Sequence, residues 1–379
     1  MKPSLLFVDQ FSDLGGSQRS TLDLLPALGD FELEFALPGP GPLTAALQRR
    51  GLSWQQLEIG AYRLGRKSFA DVVRFAVRQP GAARRLSEMA AGKSLIYASG
   101  PRVFPAAAVA ARRTGVPLIW HLHLEIESWR DRKILEAAAG WGRPRVIACS
   151  QACLDMFKES GAVRRHATVV YNGVEEVRVT PARPNDAPSK HAPVIGMIGR
   201  IHPDKGVLDF LDAIPEVTCA FPEARFRVIG PRVDPAFSKQ VDERAAELAA
   251  QCGAACLEFT GESGSPAAAF AGLDLLVVPS HREAASRVVL EAFSAGVPVV
   301  ASDAGGLPEV VGRDGVIFPC GDSAQLAAII VRVLLDPSLR QRMVQAGRRS
   351  YEERWTVDRF RQAIRGEIEK QIASRQPGP

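Results

Sequence analysis

The chain has 379 residues, of which 46% are hydrophobic and 23% charged, with a formal net charge of +5 at pH 7. There is enough apolar surface to bury a sizeable core, so a disordered chain is excluded, and the length suggests two domains at about 150 residues each. No 18-residue uncharged apolar stretch occurs, which excludes an obvious spanning helix.

The first apolar run, SLLFVD (4–9), is too short for a secretory core and meets Asp9 at once, so it reads as the first core strand of a cytosolic protein. FELEFAL (31–37), SLIYAS (94–99), VPLIWHLH (116–123), RVIACS (145–150) and ATVVYN (167–172) follow as strands, with helical periodicity at 17–28, 103–114 and 126–140. Strand–helix–strand alternation of this kind predicts a mainly parallel sheet covered on both faces. Residues 180–193, TPARPNDAPSKHAP, hold four prolines and almost nothing apolar, and read as a surface linker and hinge. The rhythm resumes with VIGMIG (194–199), RFRVIG (225–230), CLEFTG (256–261), LDLLVVPS (273–280), VPVVAS (297–302) and GVIFP (315–319). From 336 to 373 the chain is charged and helix-prone, and SRQPGP should fray. The boundaries expected are a first α/β domain over 1–179, a linker over 180–193, a second α/β domain over 194–350 and a helical tail over 351–379. Tandem domains of this type place a ligand in the cleft between them, outside the carboxyl ends of the strands.

Charge is uneven. Residues 1–180 carry 24 Lys+Arg against 17 Asp+Glu, and the remainder 23 against 25, so the first half has the stronger reason to meet an anionic partner. The richest part is 63–85, with Arg63, Arg66, Lys67, Arg74, Arg78, Arg84 and Arg85 against the single acid Asp71. As one helix over 67–79, ended by Pro80, it would put Lys67, Arg74 and Arg78 on one face, either a solvated surface or a contact for anionic lipid. The six cysteines lack zinc-site spacing and are expected to be reduced thiols packed as small hydrophobes.

Four segments after strands carry chemistry. Asp13-Leu-Gly15-Gly16 lacks the third glycine of a dinucleotide fingerprint; paired glycines before a helix suit either an anion or a plain tight turn. Ala-Gly92-Lys93-Ser94 lacks the upstream glycine of a P-loop and leads into a strand, so that reading fails. Ile198-Gly199-Arg200-Ile-His202-Pro-Asp204-Lys205-Gly206 puts two cations in a loop at a strand's end, which suits a diphosphate or, equally, two solvated cations. Pro279 to Pro298 is the strongest segment. Glu283 stands in a loop, Ser286 is a good N-cap, Arg287 opens a helix, and Glu291 lies within the mostly apolar run VVLEAFSAGVPVV, where an acid without a partner would be costly. Hydroxyl-binding acids either side of a helix start match the order of a nucleotide sugar: sugar hydroxyls, diphosphate, ribose hydroxyls. Asp303-Ala-Gly305-Gly306 is a further strand-end turn.

Gly-Arg-x4-Lys-Gly at 199–206, Glu-x7-Glu at 283–291, SAGVPVVASDAGGLPEVV at 294–311, Val170-Tyr-Asn172-Gly173-Val174 and the helical tail together resemble the retaining glycosyltransferases of the GT-B fold, closest to family 4 (glycosyl transferases group 1). The resemblance implies two Rossmann-like domains facing a central cleft, with a C-terminal helical tail. By position it implies that Arg200 and Lys205 hold the donor diphosphate, Glu283 the hydroxyls of the transferred sugar and Glu291 the ribose. Ser286 and Arg287 would lie at the donor's helix start, Thr260 and Gly261 at the nucleobase, and Gly15 and Gly16 at the phosphates. Of the two histidines ending VPLIWHLH, family spacing favours His123 over His121 as the one that approaches the sugar. The chain departs from the family pattern at Ala284-Ala285-Ser286, Pro231-Arg232 and Glu175, which bears on donor identity.

The function implied is transfer of a hexose or N-acetylhexosamine from a nucleoside-diphosphate sugar to a saccharide or lipid-linked acceptor, in cell-surface glycan, polysaccharide or glycolipid synthesis. It would be cytoplasmic or peripheral on the inner face of a membrane. No Asp-x-Asp occurs, so a metal-clamped transferase is disfavoured; neither a metal nor a cofactor is expected. Retention is implied by the resemblance, by a front-face route in which the leaving phosphate takes the acceptor proton. The competing readings are a nucleotide-sugar epimerase and a non-catalytic nucleotide-sugar-binding protein of the same fold. Nucleic-acid binding is the weakest, because the second domain is slightly acidic.

Overall fold

The computed structural model describes residues 2–59, 69–179 and 192–374. The predicted linker, apart from Pro193 and its predecessor Ala192, lies outside the described residues, as do Arg63, Arg66 and Lys67. The chain divides into two compact units, Met1–Asn172 with Asp358–Pro379, and Gly173–Val357.

The first unit is built on seven parallel strands: β1 (Ser4–Asp9), β2 (Glu32–Leu37), β3 (Ser53–Gln56), β4 (Leu95–Ser99), β5 (Leu118–Leu122), β6 (Arg145–Ala148) and β7 (Ala167–Val169). Their order is β3-β2-β1-β4-β5-β6-β7. Every residue of β4 and β5 is buried, as expected of strands covered on both faces, and their sequences are accordingly near-continuous apolar runs. β3, SWQQ, was not expected: it is an edge strand, exposed at Ser53 and Gln56 and half-buried at Trp54 and Gln55, with no apolar run to announce it. The core gathers Leu5, Phe7, Phe35, Tyr97, Ile119 and Ile147 with Phe360, Ile364 and Ile368 of the last helix, Val357–Ala373. That helix is tied to the unit by Arg365, whose guanidinium forks onto Asp30 at 2.7 and 2.6 Å, and by Arg361, which donates to the Asp23 carbonyl at 2.6 Å.

The expectation that Pro80 ends a helix fails. One helix runs Phe69–Ala90 with Pro80 inside it. Proline forfeits one backbone hydrogen bond, but Ala82, Ala83, Leu86, Met89 and Ala90 beyond it are buried, and their packing carries the helix through. The cysteine expectation holds in part: Cys149, Cys153 and Cys256 are buried and Cys252 half-buried, whereas Cys219 and Cys320 are exposed. Cys219 lies near the end of the helix Val207–Ala220, and Cys320 in the turn after a strand ending at Phe318.

The second unit repeats the plan with six parallel strands: β8 (Val194–Ile198), β9 (Arg225–Ile229), β10 (Leu257–Gly261), β11 (Leu275–Val278), β12 (Val299–Ser302) and β13 (Val316–Phe318), in the order β10-β9-β8-β11-β12-β13. Ile195, Met197, Phe210, Phe226, Val228, Leu275 and Val277 lie in its core. In both units the strand order reverses beside the first strand, between β1 and β4 and between β8 and β11. At such a switch point neighbouring loops leave the sheet in opposite directions, and ligands bind outside the carboxyl ends of the strands there. No helix among the described residues is long and apolar enough to cross a membrane.

Candidate active site

At the second unit's switch point, the loops after β8 and β11 are locked together. Past Gly199 and Arg200 the chain makes a single 3₁₀ turn, Pro203–Lys205, capped by His202, whose Nδ1 accepts the Asp204 N–H at 3.2 Å. Gly206 then turns left-handed (φ 64°) to open the helix Val207–Ala220, and a Cβ there would collide with the Pro279 carbonyl at the end of the β11 strand segment. Only glycine permits both the turn and the close approach. The Asp204 carbonyl accepts the N–H groups of His281 and Arg282 at 2.8 and 3.2 Å, and its carboxylate accepts the Arg282 guanidinium at 2.9 Å. His281 Nε2 lies 2.5 Å from Asp209 Oδ2.

Into this frame project Lys205 and Glu283, joined Nζ to Oε2 at 2.5 Å, with Ser280 Oγ 3.4 Å from the same oxygen. Both side chains are mostly buried, so the pair is held rather than solvated. The Glu283 carbonyl accepts Gly306 N–H at 2.8 Å, which brings the predicted Gly305-Gly306 turn against the same loop. Gly199 lies beside the Lys205 stem, and Arg200 next to it is exposed, with no hydrogen bond or ion pair among the described residues. Ser286 is the N-cap of the helix Arg287–Ala295, but its side chain makes no capping bond. Arg287 donates to the Gly173 carbonyl at 3.3 Å and stands 4.0 Å from Glu291, both largely buried. Arg287 is thus one charged neighbour for the acid that the apolar run holds. Thr260 and Gly261 end the edge strand β10, two strands from β8, exposed, and no hydrogen bond joins them to the Lys205–Glu283 group among the described residues.

In the first unit, Gly15 caps the helix Gly16–Leu24, and its N–H is taken by Gln18 Oε1 at 3.1 Å. Gln18 Nε2 in turn donates to Asp9 Oδ1 at 2.9 Å, as does the Phe11 N–H at 2.9 Å. Burial pushes the Asp9 carboxyl up to about 6 against these hydrogen bonds. His121 is buried within β5, and burial, with His123 beside it, holds its imidazole well below the usual histidine range. His123 lies just past the strand, half-buried, its ring centroid 3.7 Å from that of His121.

Reasoning from sequence missed the framing residues Asp204, Asp209, His281 and Arg282, and the buried Asp9. Their signal is position: each polar side chain follows closely on a strand or opens the next helix, where a solvated loop residue has no need to be charged.

Two Rossmann-like units of parallel strands, with a cation–acid pair at one switch point, define a GT-B type protein. Comparison with known proteins agrees. The Glycosyltransferase Family 4 model matches residues 14–178 and the Glycosyl transferases group 1 model residues 192–336. The chain is 30% identical over 228 residues to a glycogen synthase of Mycobacterium tuberculosis, covering 59% of this chain and 51% of that protein. It is 30% identical to a GDP-mannose-dependent monoacylated alpha-(1-6)-phosphatidylinositol monomannoside mannosyltransferase of Corynebacterium glutamicum, over 55% of this chain and 57% of that one. The chain thus spans little more than half the length of these curated relatives. In structure it is similar to Anabaena HepE solved with UDP, with a TM-score of 0.82 and 23% identity, covering 97% of this chain and 100% of that one. The chain belongs to the group 1, family 4 glycosyltransferases.

Proposed function

We propose that this chain is a retaining, metal-independent hexosyltransferase. Its substrates would be a nucleoside-diphosphate hexose or N-acetylhexosamine and a saccharide or lipid-linked acceptor, in cell-surface glycan or glycolipid synthesis. The observation that carries the reading is the Lys205–Glu283 pair at the β8–β11 switch, with Arg200 exposed beside it. As the anomeric C–O bond breaks, negative charge grows on the leaving diphosphate. Fixed cations aimed there stabilise the transition state, at about 3 kcal/mol for one donor by analogy with oxyanion sites. Lys205 and Arg200 fill that role, so the proposal needs no metal. Glu283 releases one lone pair from Lys205 to grip a sugar hydroxyl, Glu291 takes the ribose, and the amides at Ser286–Arg287 favour phosphate. Thr260 and Gly261 are assigned to the base, Gly15 and Gly16 to the phosphates and His123 to the transferred sugar, as the resemblance implies. The new bond forms on the face the diphosphate leaves, and the acceptor's proton passes to a leaving phosphate oxygen.

HepE was solved with UDP and with UDP-glucose, and the corynebacterial relative is named for GDP-mannose, which makes UDP- and GDP-hexoses the first donors to try. Thermal unfolding tests this. A donor at 100 times its Kd adds about 2.7 kcal/mol of stability, a rise of several degrees. No shift with any UDP-, GDP- or ADP-sugar would overturn the reading, and an epimerised sugar released without acceptor would favour the epimerase.

The membrane part of the proposal draws on the first unit. Arg78, Arg84 and Arg85 are exposed on the helix Phe69–Ala90. That helix packs on Phe104–Thr114, which packs on Trp129–Gly142, and the latter leaves Trp129 and Trp141 each 62% exposed, with Ile134 between them. Exposed tryptophans among arginines suit an anionic bilayer surface. Sedimentation with anionic liposomes at low salt checks it; no binding would remove the idea.

A further inference from the structure

The carboxyl edge of the first sheet holds a buried polar row to which the proposed reaction gives no task. Asp9 of β1, Ser99 of β4 and His121 of β5 are register neighbours, so their side chains leave the sheet on one face. Tyr97, two residues before Ser99, shares that face. Its hydroxyl lies 2.5 Å from His121 Nδ1, and its ring packs on Phe7 with centroids 4.8 Å apart. Both Tyr97 and His121 are buried. Among the described residues neither the Tyr97 hydroxyl nor His121 Nε2 meets another hydrogen-bond partner; a phenol that donates to Nδ1 leaves one buried polar group unmet, the Nε2–H, whereas the reverse direction leaves two, so the fewest orphans favour donation by the phenol. A neutral imidazole that accepts at Nδ1 carries its proton on Nε2. Burial favours the neutral form of both groups, raising the phenol and lowering the imidazole.

His123 sits beyond Leu122, the last residue of β5, where the ladder no longer fixes the chain. Its ring meets that of His121 at 3.7 Å, tilted by 41°. We propose that the Tyr97–His121 pair is a positioning device: the Tyr97 hydroxyl anchors the His121 ring in one tautomer, and His121 holds the orientation of His123. His121 is thus a positioning residue, not a catalytic one. The consequence for catalysis rests on the reading of the chain as a glycosyltransferase whose His123 meets the transferred sugar; the tautomer and the ordering of His123 do not.

The test is ¹⁵N-edited NMR of the histidine side chains in the full chain, beside steady-state kinetics with the sugar nucleotide found by thermal shift. Wild type is expected to show His121 as the Nε2–H tautomer and sharp His123 ring signals. Tyr97→Phe, which keeps the ring and removes only the donor, is expected to lose that tautomer pattern and to shift and broaden His123. It should lower kcat about ten- to a hundredfold at nearly constant donor KM, since small misplacements of a reacting group cost this much. His121→Phe, which keeps an aromatic ring against His123, should retain more activity than His121→Ala. An Nδ1–H tautomer in wild type, or His123 signals and kcat unchanged in Tyr97→Phe, would overturn the proposal. Absence of transfer with every donor, with the tautomer and His123 responses as expected, would overturn the glycosyltransferase reading and leave the pair standing.

Discussion

The switch points of the two sheets share a strand order and differ in chemistry. Around β8 and β11 the loops are tied by ion pairs, Lys205 to Glu283 and Arg282 to Asp204, and by a hydrogen bond between His281 and Asp209. Around β1 and β4 the corresponding edge is buried and tied by hydrogen bonds, with Asp9 pushed up to about 6, His121 held uncharged and Gln18 bridging Asp9 to Gly15. Topology decides where a site is placed, and side chains decide what it receives. A cationic edge with paired acids suits a pyrophosphate flanked by hydroxyls, whereas a buried, hydrogen-bonded edge suits hydroxyls and backbone contacts more than a second ion pair.

Substitutions on either edge break or sharpen that contrast. The largest effect is expected at the charged edge: Lys205→Ala should lower transfer a hundredfold or more, about 3 kcal/mol, and a loss under threefold in steady-state rates would refute its role at the diphosphate. Within the first unit, Ile364→Ala should cost roughly 2–5 kcal/mol in denaturant unfolding, because Ile364 is fully buried in the core that the last helix shares with β1 and β2. At the hydrogen-bonded edge, the titration of Asp9 sets the sign of a pH dependence. Its folded pKa of about 6 lies above the ordinary aspartate value of 3.8, so the folded state binds the extra proton between those values. Stability from this group is present at low pH and is lost as pH rises through about 6, by at most about 3 kcal/mol. Asp9→Asn, which keeps an acceptor for Phe11 and Gln18, should therefore raise the melting temperature at pH 7 and change it little at pH 4; an equal change at both would contradict the assignment. The smallest effect is expected from Arg365→Ala, whose fork to Asp30 is exposed and should shift the melting temperature by about 1 °C or less.

Much of this was legible in the sequence because parallel strands buried on both faces must be apolar runs, as β4, β5, β11 and β12 are. β3 was invisible for the converse reason: Ser53, Gln55 and Gln56 at a sheet edge need no apolar neighbour. Pro80 misled because local propensity argued for a break that tertiary packing of Leu86 and Met89 overrides. Within the site, Glu291 could be predicted to need a partner, since it sits in an apolar run, but that Arg287, one helical turn before it, is one charged neighbour follows from the structure. The Lys205–Glu283 bond was likewise out of reach, because it joins residues 78 positions apart through loops that only the sheet brings together.

The central claim is that the β8–β11 edge captures a nucleoside diphosphate. Isothermal titration of UDP and GDP into wild type, Lys205→Ala, Arg200→Ala and the Arg365→Ala control tests it most directly. One nucleotide should bind wild type and the control alike and bind each of the other two variants at least about tenfold more weakly, the loss of roughly 1.4 kcal/mol or more expected when a charge-assisted contact is removed. Equal affinity across all four proteins, or no binding of either nucleotide to wild type, would contradict it.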